Sequence, residues 1–458
     1  MQQVINNGSV SSVSNLIRFL KLSLPISAHS MLTSSKVMID LFMISYLGEY
    51  SIAAVGLVGL IYFIINNVMS GGNQAVTIMI SRLMGAKSDN KVIVALYQSM
   101  TLMFILATLI AFSLFCLSPL IISASVSSAD VELIALSYLN IILFAFLVRV
   151  PLNCYKSFFS SMKHTQIVMW ISLTGVVCNT CLNWILIFGK YGVPAMGVDG
   201  AAYATLLSII IELVIITFLF SYKYRHFLSL VSFNFNTFSQ SRIYIDFIKI
   251  STPIMLSGIL WSVGLYFYHA IYGNLGAIEL AIMAMMEPIT LMTFALCWGA
   301  AVGCSVLIGY DLGAGDHDLA MAKAKSISVI SVLLASVSSL LVWFCQDLIF
   351  GLYGGVQEST IQEAKSVLLV VLICICIRSL CVLVTFGALH TSGDSKFVIK
   401  IDFICQWMVG IPLAFFFAFI LDLSLLWVYL SVLIEETLRA FLALKRMFSA
   451  KWISSDVE

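Results

Sequence analysis

Asp40 is a single carboxylate inside a long apolar run. An ionised carboxylate in a membrane span is costly unless it is paired, hydrated or protonated, and a protonatable acid reached alternately from two sides is what proton antiport requires. Lys36 precedes Asp40 by four residues, which on a helix places both side chains on one face. The pair therefore indicates either an ion-coupling acid or a buried ion pair. The sequence leaves open whether the ammonium contacts the carboxylate or extends away from it.

The composition identifies the surroundings of these residues as a lipid bilayer. Hydrophobic residues make up 61% of the 458 residues and charged residues only 10%, whereas a soluble domain is about one quarter charged. We predict an all-α integral membrane protein with twelve spans, each long enough to cross the hydrocarbon core. The predicted spans are 17–46, 53–81, 93–118, 131–155, 166–188, 199–222, 247–272, 279–309, 326–345, 364–388, 398–420 and 424–444.

The first half of the chain repeats in the second half. Residues 25–86 align with residues 253–314 without a gap, at an offset of 228. The position that corresponds to Asp40 is Tyr268, so only the first copy carries the acid. The matched positions include Pro25 with Pro253, Gly71 with Gly299, Arg149 with Arg378, Ser208 with Ser431 and Glu212 with Glu435.

The duplication predicts two pseudo-symmetric six-helix lobes, at 1–222 and 247–458, joined by a polar cytoplasmic linker at 223–246. Most basic residues, Lys156 among them, fall on the side that holds both termini, whereas Lys190 and Lys365 remain on the other side. The positive-inside rule then places both termini in the cytoplasm, and we expect a bacterial inner membrane protein. No GxxxxGK[ST] loop occurs, so we expect neither ATP hydrolysis nor enzymatic activity. We also expect no cofactor and no nucleic-acid partner.

Several short motifs follow one another in a definite order along the chain. They include Pro25 in the first span, Asp40 followed by Leu47-Gly48, the Ser81-Arg82-Leu83-Met84-Gly85-Ala86 end of the second span, and Asn179-x-x-x-Asn183-x-x-x-x-Phe188-Gly189. Together these motifs resemble multidrug and toxic compound extrusion (MATE) transporters, and they are nearer the DinF-like than the NorM-like pattern. The resemblance implies two lobes around a central cleft that opens alternately to each side. It also implies export of cationic or amphipathic compounds in exchange for protons or sodium ions, by a monomer.

The resemblance assigns the coupling ion to the first lobe. Asp40 matches the family's first-lobe acid, and Asn179, Asn183 and Thr205 complete the implied ion site. Asn183 stands where DinF-like members carry a second acid. Because a hard cation favours charged oxygen ligands, this substitution favours H⁺ over Na⁺, with Na⁺ as the alternative. Hydrogen bonding between helices is an equally good account of the two asparagines.

The second half departs from the NorM-like pattern, because Trp261 stands where those members carry a glutamate and Ser379 where they carry a further acid. Aromatic and polar side chains in the seventh span suggest a surface that stacks on flat organic cations, although a packed core helix explains them as well. Glu287, beside Pro288, is a further candidate acid. We therefore predict a substrate cleft that includes Lys36, Trp261, Tyr266, Tyr268, His269 and Glu287.

Other charged residues within spans have a structural interpretation. Buried acids can pair with arginines and so hold a lobe together. The acids are Glu212, Asp402, Glu435 and Glu436, and the arginines are Arg149, Arg378 and Arg439. A flippase for lipid-linked saccharides, a related fold with a more cationic cleft, is the alternative function that Lys36, Arg149 and Arg378 permit.

Overall fold

The computed structural model describes residues 2–126, 128–225, 243–351, 357–449 and 451–453. In these ranges the regular secondary structure is entirely helical. Most of the predicted linker at 223–246 lies outside the described residues, so its conformation stays a prediction.

Thirteen helices occur in the described ranges. Ten of them, α2 to α9, α11 and α12, are long and apolar enough to cross a membrane, which agrees with a multi-pass membrane protein. The other two long helices, α1 and α13, carry several of the charged residues considered below. The helices are α1 (Gln2–Ser45), α2 (Glu49–Gly85), α3 (Asp89–Ser125), α4 (Ala129–Ser161), α5 (Thr165–Phe188), α6 (Gly197–Lys223), α7 (Ile243–Leu275), α8 (Ala277–Gly313), α9 (His317–Phe344), α10 (Gln346–Gly351), α11 (Glu358–Ser392), α12 (Ser395–Ile420) and α13 (Leu425–Phe448).

Helix ends follow local chemistry. Gly189 ends α5 and Gly393 separates α11 from α12, each with a left-handed backbone (φ 67° and 95°) that glycine adopts without strain. Asp316 begins α9, and its carboxylate accepts a hydrogen bond from the Leu319 amide at 3.2 Å. These ends divide the chain into long rods with short connections.

Two helices of the second half contain π-helical turns. They lie at Leu383–Leu389 in α11 and at Phe403–Gly410 and Phe416–Ile420 in α12. A π-helical turn shifts the register of the side chains that follow it, and such turns occur frequently at functional sites. In α12 the first of them carries Gln406 and Gly410, both of which face α7.

The chain forms two compact units, whose boundaries fall inside α1 and α7. The N-unit comprises Met31–Met255, and the C-unit comprises Met1–Ser30 with Leu256–Glu458. In the N-unit, α2 packs on α3 and α4, and α6 packs on α4 and α5. In the C-unit, α8 packs on α9 and α11, and α13 packs on α11 and α12. These packing pairs correspond one to one under the sequence repeat.

Each unit contains a glycine against which a helix from the other half of the sequence packs. In the N-unit, a Cβ on Gly71 of α2 would lie 2.8 Å from the Met255 nitrogen of α7. In the C-unit, a Cβ on Gly299 of α8 would lie 2.7 Å from the Ser27 Cα of α1. Ser27 and Met255 are themselves repeat positions, 228 residues apart. Both units therefore use the same close backbone contact, which only glycine permits.

Candidate functional site

The N-unit brings together the four residues of the predicted ion site. Asn183 Nδ2 of α5 donates to Asp40 Oδ1 of α1 at 2.5 Å, and it also lies 3.5 Å from Asn179 Oδ1, one turn earlier. Asn179 Nδ2 in turn donates to Thr205 Oγ1 of α6 at 3.3 Å. Their spacing of four residues puts both asparagines on one face of α5, where that helix packs against α6. Their role in ion coupling stays a prediction.

Burial distinguishes the carboxylate from its amide partners. Asn179 and Asn183 have no solvent exposure, whereas Asp40 is only partly buried. Among the described residues, Asn183 Oδ1 is a buried acceptor without a hydrogen-bond partner. Since buried polar atoms are nearly always satisfied, this oxygen is a position where a proton donor or a cation can bind beside Asp40.

Lys36 extends away from Asp40. Its Nζ donates to Ser208 Oγ of α6 at 2.9 Å, and the Ser208 hydroxyl donates to the Thr205 carbonyl, also at 2.9 Å. Within the described residues no Lys36–Asp40 ion pair forms within 4 Å. Of the two arrangements that the sequence allows, the structure therefore contains the one with the ammonium turned to α6.

A second ion pair lies in the same unit. Lys156 of α4 contacts Glu212 of α6 at 2.7 Å and donates to Ser172 Oγ at 3.1 Å. Two expectations need correction. Lys156 is buried in α4, not in a loop between spans, because the helix continues to Ser161 beyond the predicted apolar stretch. Glu212 also pairs with Lys156 and not with Arg149. The two cations are two turns apart on α4, and Glu212 of α6 lies opposite Lys156.

Arg149 has an aromatic neighbour. Its guanidinium carbon lies 5.5 Å from the centre of the Tyr62 ring of α2, a cation–π distance. In the part of the chain that the structure describes, no carboxylate approaches this guanidinium within 4 Å.

We call Lys36, Asp40, Arg149, Lys156 and Glu212 the N-unit cluster. These residues lie close enough for their charges to act on one another. The cluster contains three cationic side chains and two carboxylates. One positive charge is therefore in excess even when both carboxylates are ionised.

The C-unit has a buried cluster in which carboxylates outnumber cations. We call Arg378, Asp402, Glu435, Glu436 and Arg439 the C-unit cluster. Arg378 of α11 contacts Glu436 at 2.8 Å, while Arg439 contacts Glu435, Glu436 at 3.4 Å and Asp402 at 3.6 Å. Two cationic side chains face three carboxylates. The predicted pairing of these three acids with arginines is confirmed.

The predicted substrate residues of α7 do not share one face. Tyr268 is buried and donates to Glu435, whereas Tyr266, two residues earlier, is 65% exposed. Trp261 stacks on Phe294 of α8 at 6.5 Å between ring centres, and His269 lies edge-on to Tyr272. Glu287 is exposed on α8. A helix separates residues two apart by about 200°, so the two tyrosines cannot contribute to one stacking surface. Their role in a substrate cleft stays a prediction.

Two further glycines, at which the sequence carries no functional signal, make room for the buried glutamates. A Cβ on Gly175 of α5 would lie 2.8 Å from Glu212 Cγ, and a Cβ on Gly410 of α12 would lie 2.9 Å from Glu435 Cδ. Ser208, which accepts the hydrogen bond of Lys36, is assigned no role from the sequence beyond its place in the repeat. Its repeat match with Ser431 is the one signal in the sequence that could have indicated it.

Comparison with known proteins agrees with this architecture. The family profile described as MatE matches residues 25–185 and again 253–416. The chain is 25% identical over 423 residues to the "Uncharacterized transporter YisQ" of Bacillus subtilis, with 91% of both chains covered. It is 26% identical over 403 residues to the "Multidrug resistance protein NorM" of Aliivibrio fischeri, with 87% of this chain and 85% of the relative covered.

Solved structures show the same fold. The Vibrio cholerae MATE transporter VcmN in its bent form superimposes with a TM-score of 0.85 at 19% identity, covering 96% of this chain and 98% of that one. A MOP superfamily transporter from Pyrococcus furiosus superimposes with a TM-score of 0.85 at 18% identity, covering 95% and 96%. The family profile spans both halves of the sequence, and its first match includes Asp40 and Asn183. The chain therefore belongs to the MatE family of membrane transporters.

Proposed function

We propose that this chain is a proton-coupled antiporter that exports cationic or amphipathic organic compounds by alternating access. The proposal includes twelve spans in two six-helix lobes, and the ten apolar helices together with the long helices α1 and α13 support that number. The relatives that are named multidrug resistance proteins support export of small organic molecules. The proposal includes the DinF-like pattern, a monomer in the bacterial inner membrane and cytoplasmic termini.

The observation that carries this proposal is the environment of Asp40. Of the two carboxylates in the N-unit cluster, Glu212 is paired with Lys156, whereas Asp40 is hydrogen-bonded to a neutral amide. A partly exposed acid without a contacting cation can gain and lose a proton as access to it changes. Protonation removes the negative charge that attracts an organic cation, so that the substrate is released as the proton is taken up.

Dye efflux from cells that lack their own pumps tests this function. Asp40→Asn removes the titratable group but keeps the shape and the hydrogen bond to Asn183. We expect efflux of a cationic dye to fall to the level of empty cells, and proteoliposomes with the variant to show no proton uptake coupled to dye. Asp199→Asn is the matched control, because Asp199 accepts a hydrogen bond from Ser137 at 2.9 Å outside the cluster. Normal efflux by Asp40→Asn in energised cells would show that the assignment is wrong.

Sodium coupling at the same position is the second candidate, and the unpartnered Asn183 Oδ1 favours it. Asp40, Asn179, Asn183 and Thr205 together offer only oxygen ligands, which Na⁺ requires. Varying sodium at constant pH in proteoliposomes distinguishes the two ions. Efflux that follows the proton gradient at any sodium concentration supports proton coupling, whereas efflux that requires sodium supports the second candidate.

A further inference from the structure

Within the described residues, two cations of the N-unit cluster contact no carboxylate. The Lys36 ammonium is bonded to the neutral hydroxyl of Ser208, and the Arg149 guanidinium lies over the Tyr62 ring. Lys36 is only 7% exposed, whereas Arg149 is partly exposed and can be reached. A buried cation without a counter-charge is unfavourable. The ionised Asp40 can balance one of the two, and the other remains without a negative charge.

The sequence repeat shows which carboxylate the first half lacks beside Arg149. Arg378, the repeat position of Arg149, contacts Glu436 at 2.8 Å. The repeat that aligns Glu212 with Glu435 also aligns Leu213 with Glu436. The first half thus keeps the arginine but has a leucine where the second half has its carboxylate. Glu436 on Arg378 is an example, within this molecule, of the ligand that Arg149 lacks.

We propose that Lys36 and Arg149 bind an anionic group of the transported molecule, a carboxylate or a phosphate, and that the substrate is a zwitterion. A guanidinium binds both groups with two parallel hydrogen bonds, and an ammonium adds a further charged donor. The cationic end of the molecule then lies near Asp40. Protonation of Asp40 weakens the binding of the cationic end and leaves the binding of the anionic end unchanged. The substrate can therefore still be exchanged for protons. This inference rests on the proposed export function and names its substrate class.

Binding of two matched dyes tests the substrate class. The first is a zwitterionic rhodamine with a free carboxylate, and the second is the methyl ester of the same dye, which is a simple cation. Fluorescence anisotropy is measured with the full chain in phosphatidylcholine nanodiscs. We expect the free acid to bind about tenfold more tightly than the ester, the effect of one charge-assisted hydrogen bond.

Substitutions assign that preference to the two residues. Lys36→Gln and Arg149→Gln each lower the affinity for the free acid and leave that for the ester nearly unchanged, while Arg149→Lys retains part of the preference. Lys190→Gln is the matched control, because Lys190 also lies over an aromatic ring, Trp184, at 5.7 Å but outside the cluster. We expect the Lys190→Gln variant to keep the wild-type preference for the free acid over the ester. Size-exclusion profiles and unfolding temperatures confirm that each variant is folded.

Three results would overturn the proposal. The first is that the folded wild-type protein binds the ester as tightly as the free acid. The second is that it binds neither dye. The third is a preference for the acid that persists when Lys36→Gln and Arg149→Gln are combined. Because dye affinity is measured at equilibrium, it does not depend on coupling. Failure of the Asp40→Asn test therefore leaves this result unaffected.

Nanodiscs with phosphatidylglycerol identify the source of the anion. If added phosphatidylglycerol leaves the affinity for the free acid unchanged, the anionic group belongs to a soluble substrate, as proposed. If it competes with the free acid, and this competition disappears in the double variant, the two cations bind an anionic lipid headgroup. That second result would overturn the zwitterionic substrate.

Discussion

The N-unit cluster and the C-unit cluster share two pairs of corresponding helices, α4 with α11 and α6 with α13, and carry opposite excess charges. Arg149 of α4 corresponds to Arg378 of α11, and Glu212 of α6 corresponds to Glu435 of α13. In the C-unit cluster both guanidinium groups contact carboxylates, whereas in the N-unit cluster one guanidinium and one ammonium contact none that the structure describes. The duplicated helices thus provide one scaffold, and a few substitutions decide whether it is internally paired or has charge available for a ligand.

The largest expected difference in stability is between substitutions of Arg439 in the C-unit cluster and of Arg149 in the N-unit cluster. Arg439→Met leaves three buried carboxylates with one remaining cation, so we expect a loss of about 3–5 kcal/mol in the free energy of unfolding. Arg149→Met breaks no ion pair in the described part of the chain, and we expect a change within about 1 kcal/mol. Unfolding temperatures of the purified variants in one detergent measure both effects. Equal losses would contradict the distinction between a paired and an unpaired cluster.

A smaller difference is expected at the two glycines. Gly410→Ala places a methyl group against Glu435, which Arg439 and Tyr268 hold in position, and we expect a loss of about 1–3 kcal/mol. Gly175→Ala presses on Glu212, whose partner among the described residues is the long Lys156 side chain, so the ion pair can shift and the loss is smaller. The same unfolding measurement ranks the two. A larger loss at Gly175 would show that the N-unit cluster is the more rigid one.

The smallest effect is expected at Tyr268, the repeat position of Asp40. Tyr268→Phe removes one hydrogen bond to Glu435, which still contacts Arg439, and we expect about 1–2 kcal/mol of destabilisation. Dye efflux should remain near the wild-type rate, in contrast to Asp40→Asn, because the buried Tyr268 hydroxyl is bonded to Glu435. If Tyr268→Phe abolishes efflux while the protein stays folded, the division of roles between the two positions is wrong.

Much of the fold could be predicted from the sequence because its signals are local. Composition and long apolar runs indicate membrane helices, and the matched prolines and glycines reveal the repeat. The helix bounds extend past the predicted spans, since polar residues at a helix end continue the backbone hydrogen bonds. Lys156 therefore lies inside α4, although the predicted span 131–155 ends just before it. The boundaries of the compact units inside α1 and α7 have no sequence signal.

The candidate site was predictable in part. Asp40, Asn179, Asn183 and Thr205 follow from the motifs, and the structure places them within one hydrogen-bonded set. The pairing of Glu435 and Glu436 with arginines was expected from the need to neutralise buried charge. The sequence does not predict that Lys36 pairs with Ser208 or that Glu212 pairs with Lys156. In both pairs the two residues lie on different helices, and the pairing depends on which faces of those helices meet.

The sequence by itself determined that this chain spans a membrane, that it consists of two related halves, and that only the first half carries Asp40. These properties depend on composition and on residue order. The tertiary structure decided that Lys36 bonds to Ser208, that Lys156 neutralises Glu212, and that Arg149 lies over the Tyr62 ring and contacts no carboxylate among the described residues. The physical reason is that charge balance within a low-dielectric interior is a property of side chains brought together from separate helices.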